Sequence, residues 1–141
     1  MIDLPQSHKG FKADLSENDL AKIAVDIAYT IHSILGPGLL ESVYESAFVF
    51  ELEEKGIHYT RQQDVTVKYK TALLDKSFRT DIIMCNKLLV ELKSVECLEK
   101  IHHKITLNYM KLTGLKLGLL INFNVNLIKD GIHRKINDGV V

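Results

Sequence analysis

Glu91 and Lys93 stand inside Leu88-Leu89-Val90-Glu91-Leu92-Lys93-Ser94-Val95, a run otherwise apolar enough for a central strand. Side chains alternate across a strand, so these two charges share a face with Leu89 and Val95. Leu88, Val90 and Leu92 then face a core. Burying an ion pair without further partners generally costs more than it returns. The pair therefore marks either a reaction site or a surface ion pair on a half-exposed sheet.

Asp81 lies ten positions before Glu91, on the strand expected to precede it. If the connecting loop has odd length, as Cys85-Asn86-Lys87 would give, Met84 faces Leu88 and Asp81 faces Glu91. A two-residue loop instead sets Asp81 opposite Leu92 and sends the carboxylates to opposite faces. Odd parity puts two like charges side by side, a destabilising arrangement unless a cation or proton joins them. Two carboxylates completed by water and a substrate phosphate form the Mg²⁺ or Mn²⁺ pattern rather than the zinc pattern. Lys93, on the same face, is placed to hold a water or to stabilise charge developing at phosphorus. A third carboxylate comes from Gly38-Leu39-Leu40-Glu41-Ser42-Val43-Tyr44, where Glu41, Tyr44 and Glu45 share one helical face. Glu41 sits in the first turn, which the helix dipole favours for a negative charge whether or not it has a function.

The elements that must position these residues follow from periodicity. Ser16 and Asp19 form an N-cap with an acidic first turn, and Leu20, Ile23, Ala24, Ile27, Ala28 and Ile31 recur at helical steps. Gly36-Pro37-Gly38 ends that helix. A second runs from near Leu39 to Lys55, with Gly56 as its C-cap. Ile57 to Thr60 and Val65 to Tyr69 alternate as strands, and Lys76 to Met84 with Lys87 to Val95 reads as a hairpin. A third helix is expected over Glu99 to Thr113, capped by Gly114. Leu115 to Phe123 is a buried strand, and Ile128 to Ile136 a short edge strand. Short turns between strands make antiparallel neighbours, while strand, helix, strand makes a parallel crossover. The class is α/β or α+β, with a central mixed sheet flanked by helices.

The chain has 141 residues, a length typical of a single domain, here expected over residues 16–141 after a loose N-terminal arm, 1–15. Eighteen basic and eighteen acidic residues cancel, which disfavours nucleic-acid binding by bulk charge and leaves such contact to a local patch. Hydrophobic residues make up 46%, too many for disorder. Cys85 and Cys97 form neither a disulfide framework nor a zinc motif. No signal-peptide core or membrane-spanning stretch is present in the sequence, so a cytoplasmic protein with no membrane contact is expected. His102 and His103 are adjacent on a helix and so do not face a common ion. Lys100, Lys104, Lys111 and Lys116 offer a basic flank along the third helix, or simply a solvated face.

Gly38, Glu41 and Tyr44 together resemble the signature of the GxxExxY proteins, and Asp81 with Glu91-Leu92-Lys93 resembles the D…ExK core of the PD-(D/E)XK nuclease superfamily that contains them. The resemblance runs from about Ile23 to Ile136 and includes GPGLLESVYE, RTD, VELKSVE, NYMKLTG and GLLINFNV. It implies a restriction-endonuclease-like core and a metal-dependent nuclease of DNA or RNA. By position, Asp81 and Glu91 would ligate Mg²⁺ or Mn²⁺ with the backbone carbonyl of Leu92, and Lys93 would position the attacking water. Glu41 would support the metal or its waters. Tyr109 and His102 match the family on the third helix, and Tyr44 is expected to pack or support. One position departs: Ile105 stands where the family carries a glutamine, and an apolar side chain cannot hydrogen-bond a water or phosphate. The alternative is a catalytically inactive nuclease-fold module that binds a protein or nucleic-acid partner.

Overall fold

The computed structural model describes residues 14–139. Apart from Asp14 and Leu15, the arm expected over residues 1–15 lies outside the described residues. Helix α1, Glu17–Leu35, begins at a reciprocal cap: Asp19 N–H donates to Ser16 Oγ, and Ser16 N–H donates to Asp19 Oδ2, both at 3.0 Å. Its buried face is Leu20, Ala24, Ile27 and Ile31. Helix α2, Glu41–Lys55, has no side-chain N-cap and ends at Gly56 in the left-handed conformation. Tyr44 secures the turn between the helices. Its hydroxyl donates to the Gly36 carbonyl at 2.6 Å and accepts from Leu39 N–H at 3.2 Å, while its ring stacks on Phe123 at 4.4 Å.

Five strands follow: β1 Tyr59–Tyr69, β2 Ala72–Met84, β3 Leu88–Lys93, β4 Leu117–Asn122 and β5 Ile132–Ile136, paired in sequence order. Only β3 and β4 are parallel, joined by α3, Lys100–Thr113. The sheet is therefore mixed, as expected. Leu88, Val90 and Leu92 face the core beneath α1 and α2, whereas Leu89 and Ile83 pack with Met110 of α3 on the opposite face. Gly118 permits that second contact, because a Cβ there would lie 2.7 Å from Met110 Sδ. No described helix is long and apolar enough to cross a membrane.

Three element boundaries differ from expectation. The two strand segments after Gly56 form one continuous β1, whose ladder keeps a single register past Gln62, from Arg61↔Ile82 to Gln63↔Thr80, and shifts only between Thr66 and Lys68. Strand β2 starts at Ala72 rather than Lys76, because its outer residues are exposed on both faces and so carry no apolar alternation. Of the edge strand expected from Ile128, the first residues form a 3₁₀ turn, Ile128–Gly131, and only Ile132–Ile136 pairs with β4.

Candidate functional site

The hairpin between β2 and β3 has odd parity. Met84 pairs with Leu88, Ile83 with Leu89 and Ile82 with Val90, across a loop in which Cys85 and Asn86 both adopt positive φ. The next step sets Asp81 opposite Glu91, and there side chains take over from the backbone ladder. Asp81 N–H donates to Glu91 Oε2, and Leu92 N–H donates to Asp81 Oδ2, each at 2.8 Å. Each carboxylate thus satisfies a main-chain donor of the opposing strand. Both lie on the α3 side of the sheet, with Leu89 and Ile83.

Burial and proximity make the pair electrostatically unfavourable when both members are ionised. Glu91 is buried, and its carboxyl is pushed up to about 8, first by loss of solvent and then by the charge of Asp81. Asp81 is raised as well, again chiefly by burial, with the Glu45 charge adding to the effect. Lys93 acts in the opposite direction on both. It makes no ion pair among the described residues, where the salt bridges are Arg61–Glu45 and Arg79–Asp64. Its ammonium stays available on the carboxylate face.

Two neighbours were not expected as site residues. Glu45, only 9% exposed, points from α2 to β1 and accepts from Gln62 Nε2 at 2.7 Å and Arg61 Nε at 3.1 Å. The same Gln62 amide donates to Asp81 Oδ1 at 3.2 Å, so one side chain bridges the two carboxylates. Gln62 does this from a left-handed backbone, φ 49°, that a non-glycine residue rarely adopts. A signal for Glu45 existed. It lies three and seven residues before Phe48 and Leu52, on the helix face expected to be apolar. Gln62 offered none, being one polar residue in a polar segment.

The remaining expected residues are placed as follows. Glu41 is exposed at the start of α2, where its Oε2 accepts from Ser94 N–H at 3.2 Å. Ser94 Oγ donates in turn to the Leu39 carbonyl at 2.5 Å. Glu41 therefore ties α2 to the exit of β3, one residue past Lys93, while Glu45 is the α2 carboxylate acting on Asp81 and Glu91. Tyr109 stacks on Phe78 of β2 at 4.3 Å, and burial together with the Glu91 and Asp81 charges raises its hydroxyl above the usual phenol range. His102 closes its own helix, with Nδ1 accepting from Glu99 N–H at 2.9 Å. Tyr44 lies wholly in the core. Ile105 is partly exposed on α3.

The donor set is made of hard oxygens. Among the described residues, no three His, Cys, Asp or Glu side chains converge to cage an ion by themselves. Asp81 and Glu91 meet across the strands. Leu92, which aims its N–H at Asp81, sends its carbonyl off the same strand edge. Two carboxylates and one carbonyl suit Mg²⁺ or Mn²⁺, which keep several waters and share their coordination with substrate phosphates. The mutually repelling pair, Glu91 buried and Asp81 half-buried, fits such a cation.

A family model described as the PD-(D/E)XK nuclease superfamily matches residues 18–135, most of the chain and all of the site. No curated protein and no solved structure matches it.

Proposed function

The chain belongs to the PD-(D/E)XK nuclease superfamily, and from that premise we propose that it hydrolyses phosphodiester bonds of nucleic acid at Asp81, Glu91 and Lys93 with Mg²⁺ or Mn²⁺. One observation carries this reading: a buried Glu91 and a half-buried Asp81 are held together across β2 and β3, mutually repelling when ionised, with a Lys93 that makes no ion pair among the described residues on their face. Gly38, Glu41 and Tyr44 support placement among the GxxExxY proteins.

Asp81, Glu91 and the Leu92 carbonyl would hold the cation, which supplies positive charge for a phosphate oxygen and activation for a water. Lys93 orients that water and stabilises negative charge at the attacked phosphorus. Gln62 fixes the Asp81 carboxylate against Glu45 and so limits its rotamers. Tyr109, whose raised hydroxyl stays protonated, offers a hydrogen-bond donor to substrate on the α3 side. Glu41 steadies the exit of β3 and hence Lys93. Residues 16–141 would act as one domain, with the nuclease substrate approaching past α3.

Cleavage of single- and double-stranded DNA and RNA in Mn²⁺ tests the proposal. Lys93→Ala should lose about 10²–10³-fold in rate while retaining Mn²⁺ affinity. Equal rates for wild type and variant on every substrate would overturn it. Ile105 favours a second reading, a nuclease fold that binds a partner without turnover, since it places an apolar side chain where the family carries a hydrogen-bonding one. Ile105→Gln discriminates: under the nuclease reading it raises cleavage without changing Mn²⁺ affinity, and under the second it leaves a silent protein silent.

A further inference from the structure

Strand β2 is paired to β3 only over Ile82–Met84, whereas its ladder with β1 continues to Tyr69↔Ala72. The β1–β2 hairpin thus leaves the sheet at Asp81 as a two-stranded ribbon. At about 3.4 Å per residue, it reaches on the order of 27 Å beyond the carboxylates. A ribbon without a packed face is marginal in water, and this one is secured at its root. Phe78 stacks on Tyr109, and Arg79 Nε pairs with Asp64 at 2.7 Å.

Past that ion pair, the ribbon carries Lys68, Lys70 and Lys76 against Asp75 alone, in a chain whose total charge is zero. None of these lysines makes an ion pair among the described residues. Lys70 Nζ lies 5.6 Å from the centroid of the Tyr69 ring, which is 60% exposed. Lys70 lies over one face of that ring, and ammonium groups without ion-pair partners around an exposed aromatic side chain are what a single strand of nucleic acid requires: phosphates meet the cations, and an unstacked base lies on the ring. A duplex offers the phosphates but hides its base faces. A protein partner covering exposed Leu73 would have to neutralise the surrounding lysines as well.

We propose that the outer β1–β2 ribbon is a binding arm for single-stranded nucleic acid, with Lys68, Lys70 and Lys76 contacting phosphates and Tyr69 stacking a base. The proposal rests on the nuclease reading for the kind of polymer bound. A strand lying along the ribbon passes from Tyr69 toward Asp81, so the arm delivers its phosphodiesters to the carboxylates.

The test is titration of the full chain into a short labelled single-stranded oligonucleotide across a salt series, in EDTA so that nothing is cleaved. A variant combining Lys68→Ala, Lys70→Ala and Lys76→Ala should bind at least about tenfold more weakly, with a log–log salt slope smaller by about 2. Tyr69→Ala should weaken binding about tenfold and leave the slope unchanged. Thermal melting and Mn²⁺ calorimetry should match wild type for both variants. An unchanged slope in the lysine variant, tighter binding of duplex than of single strand, or no single-strand binding by wild type would overturn the proposal. So would self-association of wild type that Leu73→Glu abolishes, which would make the ribbon an interface between copies. Ribbon-dependent binding in EDTA without cleavage on restoring Mn²⁺ removes the nuclease reading and leaves the arm. Cleavage with an unchanged slope does the reverse.

Discussion

Glu91 sits on a strand whose neighbours Val90 and Leu92 are fully or almost fully buried, and its proton is the substitute for a missing positive charge. Its carboxyl titrates near 8 in the folded protein and near 4.5 when unfolded. Between those values the folded state holds a proton that the unfolded state has lost, so stability falls as pH rises. Cation-free protein should therefore be most stable below about pH 4.5 as far as this group is concerned, and lose up to a few kcal/mol by pH 8. Thermal melts from pH 5 to 8 should show the decline, and Glu91→Gln should flatten it. Gln62 gives a second prediction. Gln62→Gly and Gln62→Ala both remove the amide between Asp81 and Glu45, but only glycine accepts φ 49° without strain. The alanine variant should be the less stable by about 1 kcal/mol, while both weaken Mn²⁺ binding alike. Strand alternation makes the common face of Glu91 and Lys93 readable in the sequence, while the place of Asp81 depends on a loop parity that the sequence leaves open. Glu45 and Gln62 acquire meaning only once β1 lies beside α2, a contact that no local pattern encodes.

At the scale of elements, the site is a consequence of where β2 and β3 part. The ladder is regular through Ile82↔Val90, and beyond it the Asp81 and Glu91 carboxylates occupy backbone donors that a longer ladder would have used. Helix α3 closes one side through Met110 against Gly118, bringing Tyr109 over Phe78. On the other side of the sheet, Tyr44 fixes the α1–α2 turn. Tyr44→Phe should cost about 1–2 kcal/mol in denaturant unfolding by removing those hydrogen bonds. It should leave Mn²⁺ affinity unchanged, since the hydroxyl bonds Gly36 and Leu39 rather than a carboxylate. The helices were legible because each has a cap, Ser16 with Asp19 for α1, Gly56 for α2 and Gly114 for α3, and because α1 and α2 also have a buried stripe. The length of the β1–β2 ribbon was not legible. Val65 to Tyr69 alternate, but the outer residues of β2 from Ala72 are exposed on both faces and show neither alternation nor an apolar run, so that only hydrogen bonding to β1 defines them.

For the whole molecule, charge balance and fold pull in different directions. A net charge of zero and a pI near 7.0 give little long-range attraction to a polyanion. Nucleic-acid affinity must then come from local groups, and it should fall off with a shallow salt slope of about 2–3, set by the few ribbon lysines. The mixed sheet flanked by helices was readable from element order, because the β3–α3–β4 crossover puts a parallel pair into an otherwise antiparallel sheet; which face each helix covers was not. What that architecture achieves is the convergence of two carboxylates with a single lysine that offsets their charge only in part. Calorimetric titration of Mn²⁺ into wild type and into the Asp81→Ala, Glu91→Ala double variant tests this most directly, run at pH 7 in two buffers of different ionisation enthalpy. The account predicts binding to wild type with release of close to one proton, as the cation displaces the one on Glu91, and no binding to the folded variant. Absence of binding to wild type at millimolar Mn²⁺, or equal binding to both proteins, would contradict it.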